Sequence, residues 1–374
     1  MVYLDNAATS FPKPAEVIRA ASEALTVYGG NPGRGGTPPS SLTAEKVFAA
    51  REKIDRYFDG YGAMYTVFTS SATASLNAAV FGTVAAKKKR HLVITAFEHN
   101  SVYRPAEAVR RAGGSFTVVR PSLEDDSVTV RRVLAAVRHD TAAVCITHAS
   151  NVCGRVLPVE EIGRLLSGSG VALIADASQS AGHRRLSMRQ GHITVLCTAG
   201  HKGLLGPTGT GLMLLSPSFL PLPTVFGGTG SHSALPFPPP LPPERYEAGT
   251  LNTAGILGLS AGIDVLTKTP SSREAALCRR LYRGLSAIPS VKVLLPYSEI
   301  NCVPVVSYRR ETLSSLDEAD RLGALGFATR GGLHCAPLCH RFFGTENGGT
   351  VRVSPGRFTS EADVDAFLSA VEKI

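Results

Sequence analysis

A single lysine stands where an apolar run gives way to residues with almost no side chain: Cys197-Thr198-Ala199-Gly200-His201-Lys202-Gly203-Leu204-Leu205-Gly206-Pro207-Thr208-Gly209-Thr210-Gly211. The run before it, Ile193 to Cys197, reads as a buried strand. Small neighbours let a planar ligand come against the backbone, and a partly desolvated amine has a lowered pKa, which suits Lys202 to form a Schiff base. Taken alone, the stretch is equally a glycine-rich turn with a surface lysine. A phosphate-binding loop fits less well, because that motif needs its lysine after the glycines and before Ser or Thr, whereas Gly203 follows Lys202.

Polar residues recur at the ends of the other apolar runs, and together they narrow the chemistry. Ser70-Ser71-Ala72-Thr73-Ala74-Ser75-Leu76-Asn77 is a hydroxyl-rich entry into a helix whose free amides could hold a phosphate. Phe97-Glu98-His99-Asn100, His148-Ala149-Ser150-Asn151 and Asp176-Ala177-Ser178-Gln179 follow later runs. Each is weak alone: Thr73 is a possible helix cap, His99 a possible surface histidine and Asp176 a possible turn former. As a set they suit pyridoxal 5′-phosphate. Asp176 would keep the pyridine nitrogen protonated, Lys202 would form the imine, Thr73 would meet the phosphate, His99 would stack on the ring, and Gln179 would reach its phenolic oxygen.

Positioning these groups calls for a particular architecture. Apolar runs of strand length occur at Tyr65 to Phe68, Leu92 to Ala96, Phe116 to Val119, Ala143 to Thr147, Val171 to Ala175 and Ile193 to Cys197. Helical patterns such as Ser101 to Ala112 and Val128 to Val137 separate most pairs, predicting an α/β fold with a mainly parallel sheet covered on both faces. Ligands bind outside the carboxyl ends of such strands, where the polar set lies. Upstream, a proline-started helix is expected from about Pro14 to Tyr28, then a turn-rich stretch, Gly29 to Ser41, and a second helix to about Phe58. Downstream, helices are expected at Ala254 to Lys268, Ser271 to Ile288, Leu316 to Leu325 and from Ser360, which Asp363 would help to cap. Strands are expected at Val291 to Leu295 and Val303 to Tyr308.

In these pieces the sequence resembles class V aminotransferase-fold enzymes of the cysteine desulfurase and selenocysteine lyase family. The matching residues run in order along the whole chain: Tyr3-Leu4-Asp5-Asn6-Ala7-Ala8-Thr9, Glu98-His99-Asn100, Ser150-Asn151, Asp176 to Gln179, Gly200-His201-Lys202, Glu247 to Thr253, Arg330-Gly331-Gly332-Leu333-His334-Cys335-Ala336 and Val351 to Ser354. The resemblance implies a fold-type-I pyridoxal-phosphate enzyme and a homodimer with active sites at the subunit interface. It implies a large domain (14–260) with a mainly parallel seven-stranded sheet, and a small α+β domain (1–13 and 261–374). It also implies that His201 belongs to the cofactor site, that Thr250 reaches the partner's cofactor phosphate, that Asn151 contacts cofactor or substrate, that Arg330 lies at the substrate, and that Arg352 holds its carboxylate. Two positions depart from many relatives: Ala199 stands where they carry Ser or Thr, and Thr37, in the loop Asn31 to Thr37, where they often carry His.

Within the Arg330 to His340 stretch, Cys335 distinguishes members of this superfamily. Glycines before it suggest mobility, and Arg330, His334 and His340 suggest a positive setting that would favour the thiolate required for sulfur transfer. His334, Cys335, Cys339 and His340 could instead ligate zinc, although no second half-site stands nearby and the Arg-to-Cys pattern matches the desulfurases. Cys339 reads as a packed bystander. The expected activity is conversion of L-cysteine to L-alanine, with a persulfide on Cys335 for transfer to a sulfur-acceptor protein. Selenocysteine lyase, acting on L-selenocysteine, is the nearest alternative; an aminotransferase or epimerase would not need Cys335, and a non-catalytic scaffold would not need Lys202, Asp176 and Cys335 together.

Composition sets the outer bounds. Hydrophobic residues make up 44% of 374, and no apolar run reaches the length of a membrane span. Seven scattered cysteines fit free thiols, and no secretory signal is visible, so a cytoplasmic location is expected. The net charge of +9 favours anionic ligands, but Lys87-Lys88-Lys89-Arg90 is the one dense basic run and reads as a solvated helix end rather than a nucleic-acid site. Residues 216–243 hold nine of the 24 prolines. An ordered excursion beside the dimer interface is expected there, ahead of a ligand for a peptide-binding module.

Overall fold

The computed structural model describes residues 1–33, 36–269 and 272–374. Arg34 and Gly35 of the loop before Thr37, and the helix start expected at Ser271, lie outside the described residues.

In chain order the elements are β1 (Val2–Tyr3), α1 (Ala15–Glu23), α2 (Pro38–Tyr57), β2 (Thr66–Thr69), α3 (Ala72–Lys87), β3 (His91–Thr95), α4 (Asn100–Arg111) and β4 (Ser115–Val119). Next come α5 (Asp126–Ala135), β5 (Thr141–Thr147), α6 (Val159–Leu166), β6 (Ala172–Asp176), β7 (Val195–Ala199), β8 (Gly211–Leu215) and α7 (Thr253–Lys268). The chain ends with α8 (Ser272–Ala287), β9 (Val291–Val293), β10 (Val306–Arg310), α9 (Ser315–Ala324), β11 (Phe327–Ala328), α10 (Pro337–Phe343), β12 (Val351–Val353) and α11 (Glu361–Lys373).

Seven strands form the main sheet in the order β2-β8-β7-β6-β5-β3-β4. All its pairs are parallel except those of β8, which runs antiparallel to both β2 and β7. Every residue of β3, β5, β6, β7 and β8 is buried, so these strands read as continuous apolar runs rather than alternating ones. The pleat sends Leu173 and Leu196 into the core on one face and Ile174, Val195 and Cys197 into the core on the other. Each of the six expected runs is a strand within one or two residues. The seventh strand, Gly211–Leu215, follows the glycine-rich turn so closely that its pattern does not stand out in the sequence.

Local chemistry fixes the helix starts that matter for the site. The Ser71 side chain caps α3 by accepting from Ala74 N–H, and His99 caps α4 by accepting from Ser101 N–H. Thr73 is therefore not a cap. Ser360 and Asp363 form the expected capping box at α11. The N-terminal strand β1 pairs with β11, and Leu4 packs in a third core with β10, β12, α8 and α11. Helix α7 runs through residue 260. Residues 216–243 contain no helix or strand and expose Val225, Phe226, Phe237 and Leu241.

Candidate active site

A cavity of about 220 Å³ opens at the carboxyl ends of the central strands. Asp176 is the last residue of β6, Thr147 the last of β5, and Lys202 lies three residues beyond the end of β7. The starts of α3 and α4 bring Thr73 and His99 to the same space. Nine of the anticipated residues line it: Thr73, His99, Asn151, Asp176, Gln179, His201, Lys202, Arg330 and Arg352. Their convergence follows from topology, because parallel strands all end on one side.

Burial sets the protonation states. Desolvation pushes the Lys202 amine down to about 8; Asp176 opposes this, while Arg352 and Arg330 reinforce it. The amine makes no hydrogen bond among the described residues. Desolvation also pushes His99 down to about 4, aided by Lys202. His99 is thus neutral, and because its Nδ1 accepts from Ser101 N–H (3.1 Å), the proton sits on Nε2. Ser101 Oγ links His99 Nδ1 (2.9 Å) to Thr73 Oγ1 (2.7 Å), so the ring and the start of α3 are held by one hydroxyl. Asp176 is held by Ser178 N–H, which donates to its Oδ1 at 2.9 Å.

Arg352 is almost fully buried. Its Nη2 donates to Asp5 Oδ1 at 2.6 Å and its Nη1 to the Asn151 carbonyl at 3.2 Å, which leaves Nε without an acceptor. Asn151 Nδ2 donates to the His334 carbonyl at 2.7 Å, and Gln179 Nε2 to the Ala7 carbonyl at 2.9 Å. Beneath these groups Glu98 is fully buried, accepting from Thr95 Oγ1 (2.6 Å) and Thr147 N–H (3.0 Å), and desolvation raises its pKa to about 8.

Cys335 does not line the cavity. It is exposed, with Arg330 Nη2 4.0 Å from its sulfur, and it follows two residues, Arg330 and His334, that do line it. The positive setting expected around it is narrower than the sequence suggests. His334 and His340 are buried and their pKa values are lowered chiefly by desolvation, so both are neutral and Arg330 carries the nearby charge. The glycines before Cys335 serve close packing: a Cβ on Gly331 would lie 2.2 Å from the Ser315 carbonyl oxygen, and Gly332 has φ +102°. Among the described residues no three His, Cys, Asp or Glu side chains cluster closely enough to hold a metal ion. Cys339 is buried in the main core.

Thr250 is exposed and lines a separate cavity of about 310 Å³ with Thr69, Ser70 and Tyr246. Ala199 lines the 220 Å³ cavity, whereas Thr198, one residue back on the strand, is fully buried with an unpartnered Oγ1 and does not reach it. Thr37 is exposed and donates to Ser40 Oγ. Sequence reasoning assigned no role to Asp5, Ser101 or Glu98. The first and last lie in stretches already noted as matching the family, and Ser101 follows one directly, so position alone marked them.

The site suits a flat ligand bearing a phosphate. Ala72 and Thr73 line the cavity at the start of α3, where first-turn N–H groups have no helical acceptor and neither donates to another backbone carbonyl among the described residues, and Arg352 lines the same cavity. Comparison with known proteins agrees with this geometry. The chain is 31% identical to a probable cysteine desulfurase of Methanothermobacter thermautotrophicus, covering all of this chain and 94% of that one. It is 30% identical to a probable cysteine desulfurase of Halalkalibacterium halodurans, covering 93% of that protein. The apo structure of a cysteine desulfurase from Thermococcus onnurineus superposes with a TM-score of 0.89 at 30% identity, over all of this chain and 94% of that one. Residues 2–367 match the family model of class-V aminotransferases, and with nearly the whole chain inside that match the protein belongs to this family.

Proposed function

We propose that the protein is a pyridoxal 5′-phosphate-dependent cysteine desulfurase that converts L-cysteine to L-alanine and keeps the sulfur as a persulfide on Cys335. The observation that carries this reading is one cavity joining Lys202, Asp176 and His99, with Cys335 exposed beside Arg330 at its edge. Bound there, pyridoxal 5′-phosphate supplies an electron sink. Thr73 and the free amides of α3 hold its phosphate, the Asp176 carboxylate holds the proton of its ring nitrogen, and the neutral His99 ring offers a stacking face. Gln179, Asn151 and His201 complete the surround. Arg352 and Arg330, which both line the cavity, would hold the substrate carboxylate. Lys202 would anchor the cofactor and would take and return a proton at the substrate Cα; an amine with pKa about 8 suits both directions. The Cys335 thiolate attacks the substrate sulfur, an S–S bond forms as the C–S bond breaks, and the electron pair ends on the carbon that is protonated as L-alanine.

This reading includes a homodimer in which Thr250 serves the partner's phosphate site, the division into large and small domains with α7 bridging them, a cytoplasmic location, and a protein sulfur acceptor. Support comes from the free state of all seven cysteines and from the pairing of β1 with β11. No described helix is long and apolar enough to cross a membrane. Mass spectrometry after incubation with L-cysteine, without reductant, tests the proposal. One added sulfur on the Cys335 peptide, with alanine in solution, is expected. Alanine released equally fast by Cys335→Ser would refute the persulfide step, and keto-acid formation would point to transamination.

A further inference from the structure

The N-terminal segment meets the cofactor-anchoring lysine through one main-chain oxygen. The His201 carbonyl, joined by a peptide bond to Lys202, accepts from Ser10 N–H (3.1 Å), Thr9 Oγ1 (3.1 Å), Ser10 Oγ (3.2 Å) and Lys13 Nζ (2.7 Å). A carbonyl oxygen has two lone pairs, so four donors compete for it, and the shortest contact is the charged one. Lys13 Nζ also donates to Ser10 Oγ at 2.7 Å. Among the described residues no carboxylate lies within 4.0 Å of this half-buried ammonium. A cation that would ordinarily be solvated or paired is held against a peptide oxygen instead. Burial lowers its pKa to about 8, which leaves it charged at neutral pH.

The peptide it grips needs fixing. Gly200 and Gly203 flank His201-Lys202, and glycine restrains a neighbouring peptide plane little. Within the turn, Gly206 N–H donates to Gly200 O and Leu205 N–H to Lys202 O, both 2.8 Å, and Gly200 N–H donates to Thr210 O at 3.0 Å; none of these bonds involves the His201 carbonyl. Lys202 then projects its amine on a flexible four-carbon stem with no hydrogen bond of its own among the described residues to hold it. The direction of that stem is set by the orientation of the His201–Lys202 peptide.

We propose that Lys13 is a positioning residue for Lys202: its ammonium clamps the His201 carbonyl and so aims the Lys202 amine into the cavity. This rests on the reading of Lys202 as the cofactor's anchor.

The test uses the full-length chain freed of cofactor and mixed with pyridoxal 5′-phosphate. Borohydride quenching at timed intervals, followed by mass spectrometry of the Lys202 peptide, gives the rate of covalent attachment. Lys13→Met should slow attachment about tenfold, the scale of one lost charge-assisted hydrogen bond. Lys13→Arg, which keeps a charged donor, should stay within about threefold of wild type, as should Thr9→Val, which removes only a neutral donor. Thermal unfolding of each cofactor-free variant separates aim from folding; if Lys13→Met does not fold, Lys13→Gln carries the same comparison. Attachment at the wild-type rate in the folded neutral variant overturns this inference alone, as does a folded Lys13→Arg as slow as Lys13→Met. A wild-type chain that takes no label at Lys202 overturns the anchor reading and this inference with it.

Discussion

Replacing Ala199 by serine would restore the hydroxyl that many relatives carry immediately before Gly-His-Lys, and the structure sets what it should gain. Ala199 ends β7 and lines the 220 Å³ cavity, so a serine Oγ there would enter the ligand space. Thr198 cannot stand in, because alternate strand residues face opposite sides and its Oγ1 is buried without a partner. A hydroxyl donating to a phosphate makes a charge-assisted bond of about 1.5–3 kcal/mol, part of which is spent on desolvation and a fixed rotamer. A net gain of about 1.4 kcal/mol corresponds to a tenfold lower Kd. Titrating the cofactor-free chain with pyridoxal 5′-phosphate, by visible absorbance, measures it. The paired control is Thr198→Val, which removes an unpartnered hydroxyl; its Kd should stay within about twofold and its stability should hold or rise by up to about 1 kcal/mol. An unchanged or weaker Kd for Ala199→Ser would refute the reading that a hydroxyl on the cavity-lining side of position 199 reaches the cofactor phosphate. A tenfold loss in Thr198→Val would refute the strand-face argument.

Asp176→Asn keeps an acceptor for Ser178 N–H but removes the charge under the ring nitrogen, so turnover should fall about a hundredfold while the visible cofactor band persists; near-wild-type turnover would contradict the assigned role. Glu98 has its folded pKa raised from 4.5 to about 8, so the stability it contributes is full below about pH 4.5 and is lost as pH rises towards 8. In urea titrations Glu98→Gln should flatten that part of the profile, and an unaltered slope would exclude Glu98 as its source. Thr250→Ala and Lys202→Ala, each inactive, should recover up to about a quarter of wild-type activity when refolded together, since about half the dimers are mixed and each has one intact site. A fully active monomer by light scattering would dismiss the shared-site arrangement.

What the sequence discloses depends on whether the deciding physics is local. The strands of the parallel sheet are legible because burial on both faces leaves uninterrupted apolar runs, and the chemistry is legible because their ends carry His99, Asn151, Asp176 and Lys202. Strand β8 escapes notice because Gly211 belongs visually to the turn before it. Side-chain commitments escape for another reason. Arg352 is anchored by Asp5, 347 positions away, and Asn151 by the His334 carbonyl, 183 positions away. Protonation is equally non-local: next to Cys335 in the sequence, His334 and His340 look like cations, but burial makes them neutral.

That neutrality changes how the Cys335 loop works. His334 Nε2–H donates to the Thr350 carbonyl (3.0 Å), Asn100 N–H donates to the Cys335 carbonyl (2.7 Å), and Gly332 and Thr350 exchange backbone bonds. His334 and Cys335 both hold positive φ, 49° and 58°, a conformation that non-glycine residues rarely adopt without such ties. The loop is thus fastened to the start of α4, the helix capped by His99, and to the segment leading into β12, which carries Arg352. Its Arg330 and His334 line the 220 Å³ cavity, while the Cys335 thiol is exposed beside one arginine. That thiol lies 4.0 Å from the Nη2 of Arg330, which itself lines the cavity. The glycines before Cys335 therefore belong to a loop whose backbone is tied at both ends rather than left loose. Gly331→Ala, whose Cβ would collide with the Ser315 carbonyl, should impair sulfur transfer by distorting this anchored loop.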